Sequence, residues 1–269
     1  MPELPDVALY HRLLDAHGLG REIAEVRVSE PRILAGIDAG GLAARLVGGR
    51  LAASRRHGKH LLARIDRGGW LTVHFGMSGR LAAYDDPADA PAHERVRLRF
   101  AAGGSLGYVN VRLLGRVGWT EDADAFIAEE GLGPDALDPR FDAGALAAAL
   151  AASRRDVKTV LMDQSVIAGI GNVYADEILF QARIHPRRPA RRVAGGEAER
   201  LYGALWTVLE TAIRCGAGAE AFLDRLPAGF LLPERHSGGH CPRCGTALAV
   251  VKIGGRTSYF CPRCQDGAG

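Results

Sequence analysis

The architecture of the C-terminal part of this chain is decided by the stretch CPRCGTALAVVKIGGRTSYFCPRC at residues 241–264. It contains two Cys-x2-Cys pairs separated by sixteen residues: Cys241, Cys244, Cys261 and Cys264. This spacing is typical of a zinc site. Four thiolates complete a tetrahedral shell and leave no open position, so we predict one structural Zn²⁺. Disulfide formation or redox chemistry is the alternative.

The residues between the two cysteine pairs predict a β-hairpin. Apolar and β-branched residues stand on both sides of Gly254-Gly255, which is a turn signal. Arg256 follows the two glycines directly, and we therefore expect it at or near the tip of the hairpin.

A second informative stretch, AGIGNVYADEIL, lies at residues 168–179. It reads as a glycine-containing turn that enters a helix. Backbone N–H groups at such a helix N-terminus form an anion site without any side-chain charge. Taken alone, the glycine pattern is a weak signal, and a purely structural turn is the default interpretation.

The stretch HFGMSGRL at residues 74–81 places Met77 in a glycine-flanked turn after a predicted strand. A methionine in this position is expected to expose a flexible apolar side chain. In most sequences, however, a methionine packs in a core.

The chain begins MPELPDV, and removal of Met1 would leave Pro2 with a free secondary amine. An α-amino group has a reference pKa of about 7.7–8.0, well below the roughly 10.4 of lysine, so much of it is unprotonated near neutrality. A secondary amine condenses with an aldehyde to give an iminium that persists as an electron sink. Glu3 would be the adjacent proton donor and acceptor. Most prolines at this position have no such role.

Composition sets only broad limits. The chain has 269 residues, with 34 Lys and Arg against 31 Asp and Glu, for a net charge of +3. This balance neither demands nor excludes a nucleic-acid partner. No secretion signal or membrane-spanning segment is predicted, and the cysteine usage suits a reducing cytosol. Cys215 lies in an apolar helical segment and is interpreted as a core or incidental residue.

The N-terminal half predicts a helix over residues 5–17 and then short strands from about 22 to 120, with candidates at 59–65, 70–75, 95–100 and 106–111. Val96, Leu98 and Phe100 alternate with arginines, which indicates a sheet with one buried face. Many short antiparallel strands favour a β-sandwich or a barrel.

We predict a multidomain α+β protein with three domains. A helix-flanked antiparallel β-sandwich covers residues 1–130, a helical domain covers 131–232, and the zinc-finger hairpin covers 233–269. The acidic segment 121–143 is interpreted as an interdomain connection. From residue 144 to about 223 the sequence pattern predicts mainly helices.

Four segments occur here in one order: MPELPDV, GMSGRL, AGIGNVYADE and the cysteine finger. In this the chain resembles the bacterial formamidopyrimidine-DNA glycosylase and endonuclease VIII family across nearly its whole length. The resemblance implies a helix–two-turn–helix domain and a base-excision repair enzyme. Such an enzyme removes oxidised or ring-opened bases from double-stranded DNA through an N-terminal proline iminium, and it nicks the strand by β,δ-elimination. A non-catalytic damaged-DNA-binding protein and an RNA-binding zinc-ribbon protein are the alternatives.

The resemblance also implies roles for individual residues. Pro2 is the nucleophile, and Glu3 transfers protons. Met77 is a wedge that fills the gap left by an extruded base, and Arg112 reaches toward the orphaned base. Phosphate contacts are implied for Lys59, His74, Lys158, Asn172 and Arg256. Lys59 and Arg256 are grouped with Pro2 and Glu3 as catalytic residues. The residues grouped as DNA-binding are His74, Met77, Arg112, Leu114, Lys158 and Asn172.

Three departures from the family pattern concern substrate choice. Leu114 stands where guanine-repair members carry an aromatic wedge, the segment from Phe222 to Cys241 is shorter, and His236 falls roughly where an arginine is expected. Asp6 replaces a glutamate. We therefore expect that 8-oxoguanine opposite cytosine is not the best substrate. We also expect the protein to be a monomer in the bacterial cytoplasm, associated with the nucleoid.

Overall fold

The computed structural model describes residues 1–219 and 221–265. It divides into two compact units, one of Met1–Pro2 with Asp6–Glu130 and one of Glu3–Pro5 with Gly131–Gly269. Residue 220 and the last four residues of the range predicted for the finger lie outside the described residues. Helices and antiparallel sheets are both present, which confirms the α+β class.

The first unit contains two β-sheets and three α-helices. The helices are α1 (Leu4–Gly18, whose first two residues are counted with the second unit), α2 (Ala39–Leu46) and α3 (Ala123–Glu129). The strands are β1 (Ile23–Val28), β2 (Leu34–Ala35), β3 (Leu51–His57), β4 (His60–Ile65), β5 (Trp70–His74), β6 (Gly79–Tyr84), β7 (Glu94–Phe100), β8 (Ser105–Asn110) and β9 (Arg116–Thr120).

The two sheets form a sandwich around one apolar core. One sheet has the strand order β1-β7-β8-β6 and the other β2-β9-β5-β4-β3. Val96, Leu98 and Phe100 are buried while Arg99 is exposed, as the alternation in β7 predicted. Residues of both sheets and of α1 share the core, so the sandwich was the right choice over a barrel. One pairing departs from the predicted antiparallel pattern, because β2 runs parallel to β9.

The acidic segment 121–143, predicted to be an interdomain connection, contains regular secondary structure. It contains α3, and two of its aspartates cap helices: Asp122 accepts from Ala125 N at 2.8 Å, and Asp142 accepts from Ala145 N at 2.8 Å. These carboxylates satisfy backbone donors that a helix N-terminus leaves unpaired. Part of the acidic cluster is therefore explained by helix capping.

The second unit is helical and ends in the hairpin. Its α-helices are α4 (Ala143–Ala151), α5 (Val157–Leu161), α6 (Asn172–Ala182) and α7 (Gly196–Cys215), and its strands are β10 (Ala249–Ile253) and β11 (Arg256–Phe260). Helix α7 ends where Gly216 adopts the left-handed conformation at φ 68°, which glycine allows without steric cost. Among the described residues, no helix is both long and apolar enough to cross a membrane.

Two loops of the first unit meet backbone to backbone. They are residues 75–78, which connect β5 to β6, and residues 111–115, which connect β8 to β9. A Cβ atom at Gly76 would lie 2.4 Å from the carbonyl carbon and oxygen of Leu114. Ser78 Oγ accepts a hydrogen bond from Arg112 N at 3.1 Å. Only a glycine at position 76 allows this approach.

Replacing Gly76 by alanine should therefore force the two loops apart. Gly76 has φ +59°, so an alanine pays the left-handed backbone cost of about 1 kcal/mol, and the steric contact should add about 1–3 kcal/mol. Gly20→Ala is the matched control, because Gly20 has φ +73° and no atom within 4 Å of the added Cβ. Native-state hydrogen exchange of β5 and β8 measures the loss, and equal losses in both variants would refute the close approach.

Candidate active site

The carboxylate of Glu3 is bound by the N-terminus of helix α6. Its Oε2 accepts from Gly171 N at 2.8 Å and from Tyr174 N at 3.1 Å, and its Oε1 accepts from Val173 N at 2.9 Å. The side chain is buried, with 1% exposure. The anion site predicted within residues 168–179 thus exists, and the anion that occupies it in this structure is a carboxylate of this chain.

Glycine at position 171 makes this contact possible. A Cβ atom there would lie 2.4 Å from Cδ and Oε1 of Glu3. A second backbone contact holds the neighbouring residue, since Leu4 N donates to Gly169 O at 3.0 Å. Pro2 directly precedes this anchored residue in the chain.

Lys158 and Asn172 lie together beside the start of α6. Lys158 has 0% exposure, and its Nζ donates to Asn172 Oδ1 at 2.7 Å, to Asp176 Oδ1 at 2.6 Å and to Ser258 Oγ at 2.5 Å. All three ammonium protons are therefore used within the protein. The phosphate contact that the resemblance implies for Lys158 stays a prediction; in this structure the lysine holds the side chain of Asn172.

Asp176 is a central residue of this region that sequence reasoning missed. It is 1% exposed, and its Oδ2 accepts from Arg235 Nε at 2.9 Å and from Tyr259 N at 3.1 Å. Burial raises the pKa of Asp176, and the cations Lys158 and Arg235 oppose that shift. The only signal in the sequence is the pair Asp176-Glu177 within an otherwise apolar helix.

The hairpin has the predicted form. Ile253 pairs with Arg256 across Gly254-Gly255, which places the exposed Arg256 at the turn. Asn172 Nδ2 donates to Thr257 O at 3.0 Å, so the residue after Arg256 is tied to the start of α6. Within the second unit, the structure thus brings the hairpin next to Asn172.

The four finger cysteines form one cluster, with their Sγ atoms all within 4.8 Å of one another. Individual Sγ–Sγ distances are 3.8 Å for Cys241 with Cys264, 3.6 Å for Cys244 with Cys261 and 3.5 Å for Cys244 with Cys264. A tetrahedron with Zn–S bonds of about 2.3 Å has edges of about 3.8 Å. The donor set and its spacing therefore fit one structural Zn²⁺, as predicted.

In the first unit, His74 is a neutral hydrogen-bond donor. Its Nδ1 accepts from Gly76 N at 3.3 Å, which places the ring proton on Nε2. Burial, followed by the charges of Lys59 and Arg116, lowers the pKa of His74 to about 4. Lys59 itself is largely buried, with 8% exposure. The arrangement presents one neutral N–H donor, His74, and two nearby cations, Lys59 and Arg116, to an anionic group.

Three further residues that the resemblance assigns to DNA binding, Met77, Arg112 and Leu114, lie on the two loops that meet at Gly76. Met77 is 44% exposed and Leu114 is 52% exposed, while Arg112 is exposed between them in sequence. Buried polar side chains support these loops from below: Asn110 Nδ2 donates to Phe75 O at 3.2 Å, and Tyr108 Oη donates to His74 O at 2.9 Å. The exposed position predicted for Met77 is confirmed.

The fold and these features together define a two-unit α+β protein with a helical domain and a C-terminal zinc finger. Family models match it in three places: the formamidopyrimidine-DNA glycosylase N-terminal domain over residues 1–117, the formamidopyrimidine-DNA glycosylase H2TH domain over 132–223, and a zinc finger found in FPG and IleRS over 238–267.

Relatives and solved structures agree with these matches. The formamidopyrimidine-DNA glycosylase of Thermomicrobium roseum is 39% identical over 298 residues, which cover 98% of this chain and 99% of that protein. That of Moorella thermoacetica is 40% identical over 94% of this chain and 95% of its own length. The crystal structure of Lactococcus lactis Fpg with DNA containing N7-benzyl-Fapy-dG matches at a TM-score of 0.89 and 26% identity, over 99% of this chain and 100% of that chain. The chain belongs to the formamidopyrimidine-DNA glycosylase family.

A pH-dependent stability of the first unit follows from its buried histidines. The rings of His60 and His74 lie 4.8 Å apart, and His60 Nδ1 has no hydrogen-bond partner among the described residues. Burial first, then the charges of His74, His57, Arg116 and Lys59, lower the pKa of His60 to about 3. Both histidines stay neutral in the folded protein at pH values where an unfolded histidine, with a pKa of about 6.5, takes up a proton.

Unfolding should therefore bind protons as the pH falls from about 6.5 to about 4, and stability should decrease in that window by about 1.4 kcal/mol per pH unit for each histidine. His60→Phe removes one of the two groups and should reduce the slope by about that amount. Hydrogen exchange of β4 and β5 across this range measures it. His93→Asn, at an exposed site of the same unit, is the control, and an unchanged slope in His60→Phe would contradict the interpretation.

Proposed function

We propose that this protein is a DNA glycosylase of base excision repair with AP-lyase activity, acting on oxidised or ring-opened bases in double-stranded DNA. The observation that carries the proposal is the Glu3 carboxylate bound by three backbone N–H groups of α6, directly after Pro2. A protein that only bound DNA would have no need for a secondary amine next to this buried acid. Membership of the formamidopyrimidine-DNA glycosylase family supports the same assignment.

The chemistry is nucleophilic catalysis by Pro2 once Met1 has been removed. The proline nitrogen forms a bond to C1′ of the extruded nucleotide as the bond from C1′ to the base breaks. Glu3 assists the proton transfer that opens the sugar, and the nitrogen is left as an iminium. Loss of a 2′ proton then expels the 3′ phosphate by β-elimination, and δ-elimination expels the 5′ phosphate.

Two groups of residues hold the DNA backbone in this proposal. In the first unit, His74 donates its Nε2 proton to one phosphate, and Lys59 supplies positive charge nearby. In the second unit, Asn172 and Arg256 contact phosphates, and Lys158 contributes by holding the amide of Asn172. Such contacts position the duplex and carry no sequence information.

Base extrusion is assigned to the loops that meet at Gly76. Met77 and Leu114 are apolar and exposed, which suits side chains that fill the space of an extruded base. Arg112 reaches toward the unpaired base on the opposite strand. Leucine at position 114 lacks the stacking, worth about 1–3 kcal/mol, that an aromatic side chain gives a base. That 8-oxoguanine opposite cytosine is not the best substrate stays a prediction.

The finger supports binding rather than chemistry. Cys241, Cys244, Cys261 and Cys264 would hold one Zn²⁺, which fixes the ends of the hairpin that carries Arg256. The three proposed domains are residues 1–130, 131–232 and 233–269. The protein is further proposed to act as a monomer on DNA, without a membrane partner, in the bacterial cytoplasm at the nucleoid.

Borohydride trapping tests the proposed function. The protein beginning at Pro2 should form a covalent complex with a duplex that contains one abasic site, and peptide mass spectrometry should locate the adduct on Pro2. Glu3→Gln should lower base excision by about 10²–10⁴-fold, because it removes proton transfer and keeps the shape. Duplexes that carry 8-oxoguanine, formamidopyrimidine, thymine glycol or dihydrouracil rank the substrates in the same assay.

An uncleaved extension before Pro2 is the matched control, since it changes the amine to an amide and leaves every side chain in place. Trapping at the unmodified rate with this extension would contradict the assignment of the nucleophile. A protein that binds the abasic duplex tightly but neither traps nor nicks it would be the non-catalytic binder instead.

A further inference from the structure

A buried network of charges joins helix α6 to the hairpin. The carboxylate of Asp176 lies between Lys158 and Arg235, at 2.6 Å from Lys158 Nζ and 2.9 Å from Arg235 Nε. Side-chain exposure is 0% for Lys158 and Asp176 and 14% for Arg235. One carboxylate thus pairs with two cations, and removing it would take a direct ion pair from each of them in a buried site.

The same network holds three consecutive residues of strand β11. Thr257 O accepts from Asn172 Nδ2 at 3.0 Å and from Arg235 Nη2 at 3.2 Å. Lys158 Nζ donates to Ser258 Oγ at 2.5 Å, and Tyr259 N donates to Asp176 Oδ2 at 3.1 Å. Residues 257–259 directly follow Arg256, so the network fixes the strand at the end where the arginine begins it.

The finger cysteines hold the opposite end of this strand. Cys261 follows Phe260, the last residue of β11, and belongs to the cysteine cluster. The cysteine cluster therefore holds strand β11 after residue 260, and the network around Asp176 holds it near residue 256. A hairpin fixed only at its cysteine end would be free to pivot and move Arg256.

We propose that Asp176 is a positioning residue that sets the hairpin against α6, so that Arg256 and Asn172 engage neighbouring phosphates of one DNA strand. This rests on the proposed function of the two residues as phosphate ligands. Asp176 itself contacts no DNA. Its effect passes through Tyr259 N to the hairpin and through Lys158 to the amide of Asn172.

Asp176→Asn tests this, because asparagine keeps the shape and removes the charge. The concentration of abasic-site duplex that half-saturates borohydride trapping should rise about 10- to 100-fold, since charged hydrogen bonds that place the hairpin are lost. The trapping rate at saturating duplex should change by less than about threefold, because Pro2 and Glu3 are untouched. Zinc should remain at one ion per chain. Loss of zinc and of maximal rate together would show a damaged fold, in which case the Arg235→Ala cycle decides the question; loss of maximal rate with zinc retained would overturn the positioning role.

A double-mutant cycle with Arg256→Ala supplies the decisive readout. If Asp176 acts by placing Arg256, the double variant should bind no more than about twofold weaker than Arg256→Ala alone. Multiplicative losses would refute the proposal, as would wild-type affinity in Asp176→Asn. Arg235→Ala, at the partly exposed edge of the network, provides the same cycle should Asp176→Asn not fold.

Asp138→Asn is the matched control. Asp138 also pairs with an arginine of the second unit, Arg140, at 2.7 Å, but the guanidinium there is 87% exposed. Exposed ion pairs contribute little, so half-saturation should be unchanged; a loss equal to that of Asp176→Asn would mean that any lost carboxylate weakens binding, and would refute the proposal. If wild-type protein fails to trap abasic DNA at all, the proposed function has failed rather than the role of Asp176.

Discussion

The hydrogen bonds from the N-terminus of α6 to the Glu3 carboxylate are the contact on which the rest of the structure depends. Three backbone N–H groups that a helix leaves unpaired are satisfied by a side chain 168 to 171 residues away in sequence. The positive end of the helix dipole also favours a negative charge at this point. Because Glu3 is buried there, Pro2 is tethered one residue from a fixed point, and the close approach requires glycine at position 171. A turn that looks like a phosphate-binding site thus holds the start of the chain.

Helix α6 organises the second unit through a succession of buried charges. After Glu3 at its first turn comes Asp176, which binds Lys158 and Arg235. Glu177 follows; its Oε2 accepts from Leu232 N at 2.9 Å, and burial raises its pKa to about 7. At the end of the helix, Phe180 packs with Cys241 and Cys261 of the finger. A single helix therefore holds the chain start, the hairpin, the segment before the finger and the finger itself. Buried carboxylates of this kind are stable only when every partner is present, which makes the arrangement specific.

Local patterns in the sequence predicted the local structure well. Cysteine spacing predicted the finger, the Gly254-Gly255 pair predicted the hairpin turn, and alternation in β7 predicted its buried face. Partners distant in sequence could not be predicted in this way. Asp176 and Glu177 look like the polar face of an ordinary helix, and nothing local indicates that Arg235 and Tyr259 meet Asp176. For the same reason the sequence could not show that Lys158 donates to Asn172, Asp176 and Ser258; its phosphate contact stays a prediction.

Single-turnover base excision by Gly171→Ala, on a duplex containing a formamidopyrimidine, tests whether catalysis depends on the binding of Glu3 to the N-terminus of α6. The added methyl group would lie 2.4 Å from the Glu3 carboxyl and must displace it, while Gly171, with φ −123°, carries no left-handed strain. We expect the excision rate of this variant to fall by at least about 100-fold, with zinc retained. Gly196→Ala, which meets no atom within 4 Å at the start of α7, should react at the wild-type rate. Excision by Gly171→Ala at the wild-type rate would show that binding of Glu3 to the helix N-terminus is not required for catalysis.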